Sequence, residues 1–211
     1  EELGLKSLGI VAFISFFVGG VVAIQTALNV DSPWIPKNLI GFATKRSIIL
    51  EFAPTFMSII LAGKVGSYIT SSIGTMRVTD QIDALEVMGI NALNHLVLPK
   101  VVAAVSFYPF IVLLAMFLGI FGGWVSGFTT GFFTSDDYIE GIQLDFQPYL
   151  IRYALIKTMV FAFVIATVPS FYGFHVKGGS LEVGQASTQS VVWTSIVIII
   201  LNYFLTQMLL G

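Results

Sequence analysis

The chain has 211 residues, of which 56% are hydrophobic and only 10% charged, with a formal net charge of −2. A soluble domain carries about 25% charged residues, so a fully water-facing surface is excluded and lipid must be the main solvent; the mean hydropathy of +0.90 agrees. No basic run suits nucleic acid, the absence of Cys excludes disulfides and thiolate metal sites, and His95 and His175 lie too far apart in sequence to suggest a metal centre.

A spanning helix needs about 20 mostly apolar residues. Ser7 to Leu28 carries no charge and forms the first predicted span. The chain opens at Glu1 without an initiator Met, and further residues are expected upstream. A polar connection with Asp31, Pro33, Pro36 and Lys37 follows. Phe52 to Met76 is the second span, interrupted only by Lys64. Arg77 to Pro99 is the most polar stretch and too polar to cross. Val101 to Phe133 is a third, charge-free run, long enough to tilt or to extend past the lipid. Ser135 to Gln147 reads as an acidic loop holding Asp136, Asp137, Glu140 and Asp145. Tyr149 to Phe174 is the fourth span, with Arg152 and Lys157 near its start, where Lys157 is expected to snorkel to the headgroups. His175 to Gly184 is a Gly-rich connection, and Val191 to Leu210 is the fifth span. Backbone groups in lipid must be satisfied internally. The predicted fold is therefore all-α: one polytopic transmembrane domain of about five helices. Orientation stays open, because Lys6, Arg77, Lys100 and Lys177 on one side balance Lys37, Lys45, Arg46 and Arg152 on the other.

Gly119, Gly123, Gly127 and Gly131 recur every fourth residue, which places them on one helix face open to close approach by another helix. Ser58, Ala62, Gly66, Thr70 and Gly74 form a second such stripe on the second span. Both read first as packing within a subunit, with a seam between subunits or a wall facing ligand as the alternative. Lys64 lies mid-span, where an ionised Lys costs about 2.5–3.5 kcal/mol. Glu51 is more than three turns away on the same helix, so compensation must come from another helix or from an anionic headgroup.

Residues 79–89 read as a short amphipathic helix. Thr79 is the expected N-cap, with Asp80 in the first turn. Ile82, Leu85 and Met88 form an apolar stripe, Asp80, Asp83 and Glu86 an acidic one, and Gly89 the αL stop. Interfacial helices favour Lys and Arg on the polar face, so an acidic helix is better explained by a protein partner than by lipid. No G-x-x-x-x-G-K-[ST] phosphate loop and no catalytic pair is present. The chain is therefore expected not to be an enzyme and to hold no metal or cofactor; energy for active transport would come from another chain.

The ordered motifs Glu51-x-x-Pro54, Ala62-Gly63-Lys64-x-Gly66, Gly74-x-Met76, Asp80-Gln81-Ile82-Asp83-Ala84-Leu85 and Met88-Gly89 resemble those of the MlaE/YrbE permeases, the membrane subunits of bacterial ABC transporters that work with MCE proteins. The resemblance implies a multi-pass protein of the bacterial inner membrane, carrying lipids, chiefly phospholipids, between inner and outer membranes. It implies a permease homodimer, a separate ATPase subunit that binds ATP and Mg, and a periplasmic MCE-domain partner. It places residues 79–89 in the cytoplasm as the coupling helix, with Asp80, Ile82, Asp83, Leu85, Glu86 and Met88 facing the ATPase. Lys64 and Glu51 become the candidate substrate-binding residues, and an interfacial helix is implied upstream of Glu1. Two positions depart from the family pattern: Lys64 stands where Arg is usual, and Ser72 where Glu is common. A secondary transporter of a small amphipathic solute or ion is the alternative, but such proteins often show internal repeats, and no second copy of the Glu51–Gly89 pattern is visible.

Overall fold

The computed structural model describes residues 5–30 and 35–210; Asp31 and Pro33 lie outside them. Among the described residues there is no strand. Among the described residues, five helices are long and apolar enough to cross a membrane: Ser7–Asn29, Asn38–Val78, Ala92–Thr130, Pro148–Phe174 and Ser180–Leu210. The protein is all-α and polytopic.

Helix α1 spans Leu5–Asn29. Helix α2 runs unbroken over Asn38–Val78, starting well before the expected Phe52. The early start brings Lys45 and Arg46 into the helix, where neighbouring groups receive them. Lys45 is buried, and its Nζ donates to the carbonyls of Ile142 at 3.0 Å and Leu144 at 2.6 Å. Arg46 lies 5.4 Å from the Phe42 ring. Two segments of α2 are π-helical, Ile48–Phe56 and Ala62–Gly66. Pro54 removes one ladder donor from the first, and Gly63 and Gly66 loosen the second.

Short helices α3 (Gln81–Val87) and α4 (Ala92–Leu96) follow; the Asn91 side chain caps α4 by accepting from the Asn94 N–H at 3.1 Å. Helix α5 (Leu98–Thr130) stops at Gly131, whose φ of +67° belongs to the left-handed region. The expected acidic loop instead contains a helix, α6 (Ser135–Gln143), nucleated by a capping box in which Thr134 and Asp137 bond each other's backbone N–H. Helix α7 covers Pro148–Phe174. Helix α8 (Ser180–Leu210) begins well before Val191, because the Glu182 carboxylate reaches back to the Gly179 N–H at 2.8 Å and fixes its start.

The chain forms two compact units, residues 1–7, 58–109 and 157–211 in the first and 8–57 and 110–156 in the second. In the first, the small-residue stripe of α2 receives α7 and α8. A Cβ on Gly66 would sit 3.1 Å from the Pro169 ring, one on Gly74 3.2 Å from Val183, and one on Gly173 2.8 Å from the Thr70 carbonyl. Thr70 Oγ1 lies 3.0 Å from the Pro169 carbonyl and 2.8 Å from Ser190 Oγ, so these buried groups satisfy one another. Lys157 does not snorkel: it is fully buried and its Nζ donates to Thr206 Oγ1 of α8 at 3.2 Å. A polar partner on the adjacent helix holds the amine in place of water or headgroups.

In the second unit α1 and α5 touch main chain to main chain. A Cβ on Gly19 would overlap the Gly119 backbone, and one on Gly122 the Phe16 carbonyl. Gly123 and Gly127 instead make room for the Tyr138 hydroxyl and the Phe133 ring. Gly131 does not belong to a packing face, since nothing lies near its Cβ position; it ends the helix. Tyr138 on α6 is fully buried and donates to the Ile120 carbonyl at 3.2 Å. Burial pushes its phenol well above the ordinary value, which keeps it a donor.

Candidate functional site

Lys64 occupies the centre of the π-helical segment Ala62–Gly66, and its side chain is exposed. Single π-turns inside α-helices are frequent at functional sites. One face of α2 in the first unit continues from it: Ser67, Ser71 and Ser72 are half-buried, and Tyr68 and Thr75 exposed. These residues follow Lys64 at helical spacing. A hydroxyl-rich stripe headed by a cation is thus turned outward on a membrane helix, where bare hydrocarbon would be a poor solvent for it. Glu51 lies in the other π-segment and belongs to the second unit; it is half-buried and accepts from Thr55 Oγ1 at 2.9 Å.

The short helix α3 differs from its expected form. Asp80, not Thr79, is the N-cap residue, with a φ of +57° and no side-chain capping bond. Thr79 bonds back to the Thr75 carbonyl at 2.9 Å, which occupies its hydroxyl. The apolar stripe divides: Ile82 is fully buried within the protein, Leu85 is half-buried and Met88 is 65% exposed. Ile82 therefore anchors α3 to its own chain and is not available to a partner. Asp83 pairs with Arg77, so one of the three acids is neutralised internally, while Asp80 and Glu86 are exposed. The outward apolar surface is Val87, Met88, Ile90 and Leu93. Periodicity could not find Val87 and Ile90, because they fall on either side of the Gly89 turn, whose φ is +77°. Among the described residues no group of three or more His, Cys, Asp or Glu could hold a metal ion.

Among the described residues, five apolar helices, an outward polar stripe and a short amphipathic helix between the second and third define a multi-pass membrane protein. The profile of the family described as Permease MlaE matches residues 1–208, and the chain belongs to that family. It is 34% identical over 206 residues to a probable ABC transporter permease protein of Rickettsia bellii, covering 98% of this chain and 79% of that one. It is 29% identical over 210 residues to the intermembrane phospholipid transport system permease protein MlaE of Haemophilus influenzae, covering 99% and 80%. To the chloroplastic protein Trigalactosyldiacylglycerol 1 of Arabidopsis thaliana it is 28% identical over 207 residues, covering 98% and 59%. This chain is a membrane permease of the ABC transporter class.

Proposed function

We propose that the permease moves lipids, phospholipids first among them, between the bacterial inner membrane and a periplasmic MCE-domain partner. A separate ATPase subunit binds ATP and Mg and docks on α3 through Leu85, Val87, Met88 and the exposed acids. Two copies of the chain enclose the transported lipid. The observation that carries this reading is the outward polar stripe headed by Lys64. The exposed Lys64 side chain can give a phosphate headgroup in a wet cavity a charge-assisted hydrogen bond. Closure of the ATPases pushes on α3, narrows the cavity and displaces the lipid. The names of the Haemophilus and Arabidopsis relatives support a lipid cargo.

Lys64→Met tests the site. The stem keeps its bulk and the insertion cost falls, so the variant is expected to match the parent in thermal stability while losing most of its copurifying phospholipid and its transport. Lys64→Arg is expected to retain both, since Arg adds a bidentate fork for phosphate. A stable Lys64→Met variant with full lipid content and transport would refute the headgroup site. A variant that loses stability outright would make Lys64 one half of a structural ion pair instead.

A further inference from the structure

A left-handed residue stands at each end of α3. Asp80 precedes it at a φ of +57°, and Gly89 lies just beyond it at +77°. The helix is therefore set off from the elements before and after it, and its orientation depends on what its side chains hold. Two of them hold the first unit. Ile82 is fully buried. Asp83 accepts a hydrogen bond from Arg77, which stands in the last turn of α2. The two residues are six apart in sequence, a spacing that one continuous helix does not bring together. They meet because the turn at Asp80 folds α3 back on the end of α2.

Arg77 has a second partner. Its Cζ lies 5.9 Å from the centroid of the Phe174 ring, within cation–π range. Phe174 is the last residue of α7. One side chain is thus rooted in α2, paired with α3 and laid over the end of α7. An Arg that served only the dipole at the end of α2 would need neither partner. The end of α2 is also closely packed. A Cβ on Gly173 of α7 would lie 2.8 Å from the Thr70 carbonyl, and one on Gly74 would lie 3.2 Å from Val183 and 3.4 Å from Val176. Contacts this tight transmit strain and do not absorb it.

We propose that Arg77 is the positioning residue for coupling: through Asp83 and Phe174 it carries a displacement of α3 to the ends of α2 and α7. The proposal rests on the reading of α3 as the dock for the ATPase. Ile82 alone holds α3 at one point, about which it can swivel; the ion pair adds the second point and fixes the angle. The paired side chains are 35% and 53% exposed, so the pair contributes little to stability, and its role lies in direction. Docking and transmission use different side chains, since the outward apolar surface consists of Val87, Met88, Ile90 and Leu93.

The test compares Arg77→Gln, Asp83→Asn and the double variant, each as the full chain with its ATPase in phospholipid vesicles. Melting temperature and ATPase recovery in a pull-down should match the parent. Lipid transferred per ATP hydrolysed should fall by at least about fivefold in each single variant, the lower end of coupling between sites. The double variant should fall no further, because both changes break one contact. Phe174→Leu should give a smaller loss of the same kind, and Arg77→Lys, which keeps the charge, should retain most of the ratio. Hydrogen exchange on the permease alone supplies a reading that needs no partner: amides of residues 81–87 should exchange faster in Arg77→Gln, and those of residues 67–76 at the parent's rate. An unchanged transfer ratio, or losses that add in the double variant, would overturn the proposal. So would unchanged exchange in residues 81–87, since Arg77 would then not fasten α3. A shared fall in melting temperature or in ATPase recovery would make the pair part of the fold or of the dock, and would overturn it too. A parent chain that recovers no ATPase would refute the docking reading, and the coupling role with it, while the exchange arm still shows whether Arg77 holds α3.

Discussion

Lys157 and Lys64 are both cations within long apolar helices, yet their side chains have opposite fates. Lys157 is fully buried with Thr206 as a partner, and Lys64 is exposed. Sequence reports that a charge lies within a span but not where its side chain points, because direction depends on how the helices pack against one another. The same limit hid Lys45, whose two carbonyl acceptors come from the far end of α6. Lys157→Met should therefore lower stability in detergent by about 1–3 kcal/mol, the cost of leaving buried polar partners unsatisfied, and by more than Lys64→Met, whose side chain is exposed. Thermal unfolding of the two variants side by side checks this; equal melting temperatures would contradict the assignment. Lys45→Met should cost a similar amount, and hydrogen exchange should show faster opening in the Ile142–Leu144 turn.

The helices themselves were largely legible as apolar runs, because in lipid length and charge decide where a span lies. Their ends were not. The starts of α6 and α8 depend on bonds made by Thr134 and Glu182, which local hydrophobicity does not register. The glycine spacing on α5 was visible, but the three-residue offset that makes Gly119 and Gly122 meet α1 depends on the register between two helices. Gly122→Ala should consequently destabilise far more than Gly63→Ala, whose added Cβ meets nothing within 4 Å. Similar melting temperatures for the pair would remove the close contact. On α3 the divided stripe sets a second contrast. Ile82→Asp should fail to fold, since a charge enters the core, whereas Met88→Asp should fold and lose its ATPase, because a partner groove would have to bury the charge at a cost of several kcal/mol. Normal ATPase recovery with Met88→Asp in a pull-down would refute docking at this surface.

At the scale of the molecule, charge counting left the orientation tied, and the resemblance to the MlaE/YrbE permeases implies residues 77–99 and 175–184 on the cytoplasmic side and residues 135–147 on the periplasmic side, which labelling can test. The native chain has no Cys, so single Cys probes can be introduced without removing a thiol. A Cys at Ser135 should react with an impermeant reagent in spheroplasts and one at Asn91 should not; the reverse pattern would invert the topology. The function could be read from sequence only through the ordered motifs from Glu51 to Gly89, because composition defines a membrane protein but not its cargo. The outward polar stripe on α2 and the anchoring of α3 through Ile82 became visible only with burial. The most direct measurement is purification in mild detergent followed by mass spectrometry of both proteins and lipids in the same particle. The expected particle contains this chain, a nucleotide-binding chain and bound phospholipid, with Met88→Asp losing the nucleotide-binding chain and Lys64→Met losing the lipid. An intact permease that carries neither, under conditions that preserve its fold, would contradict an ATP-driven lipid permease.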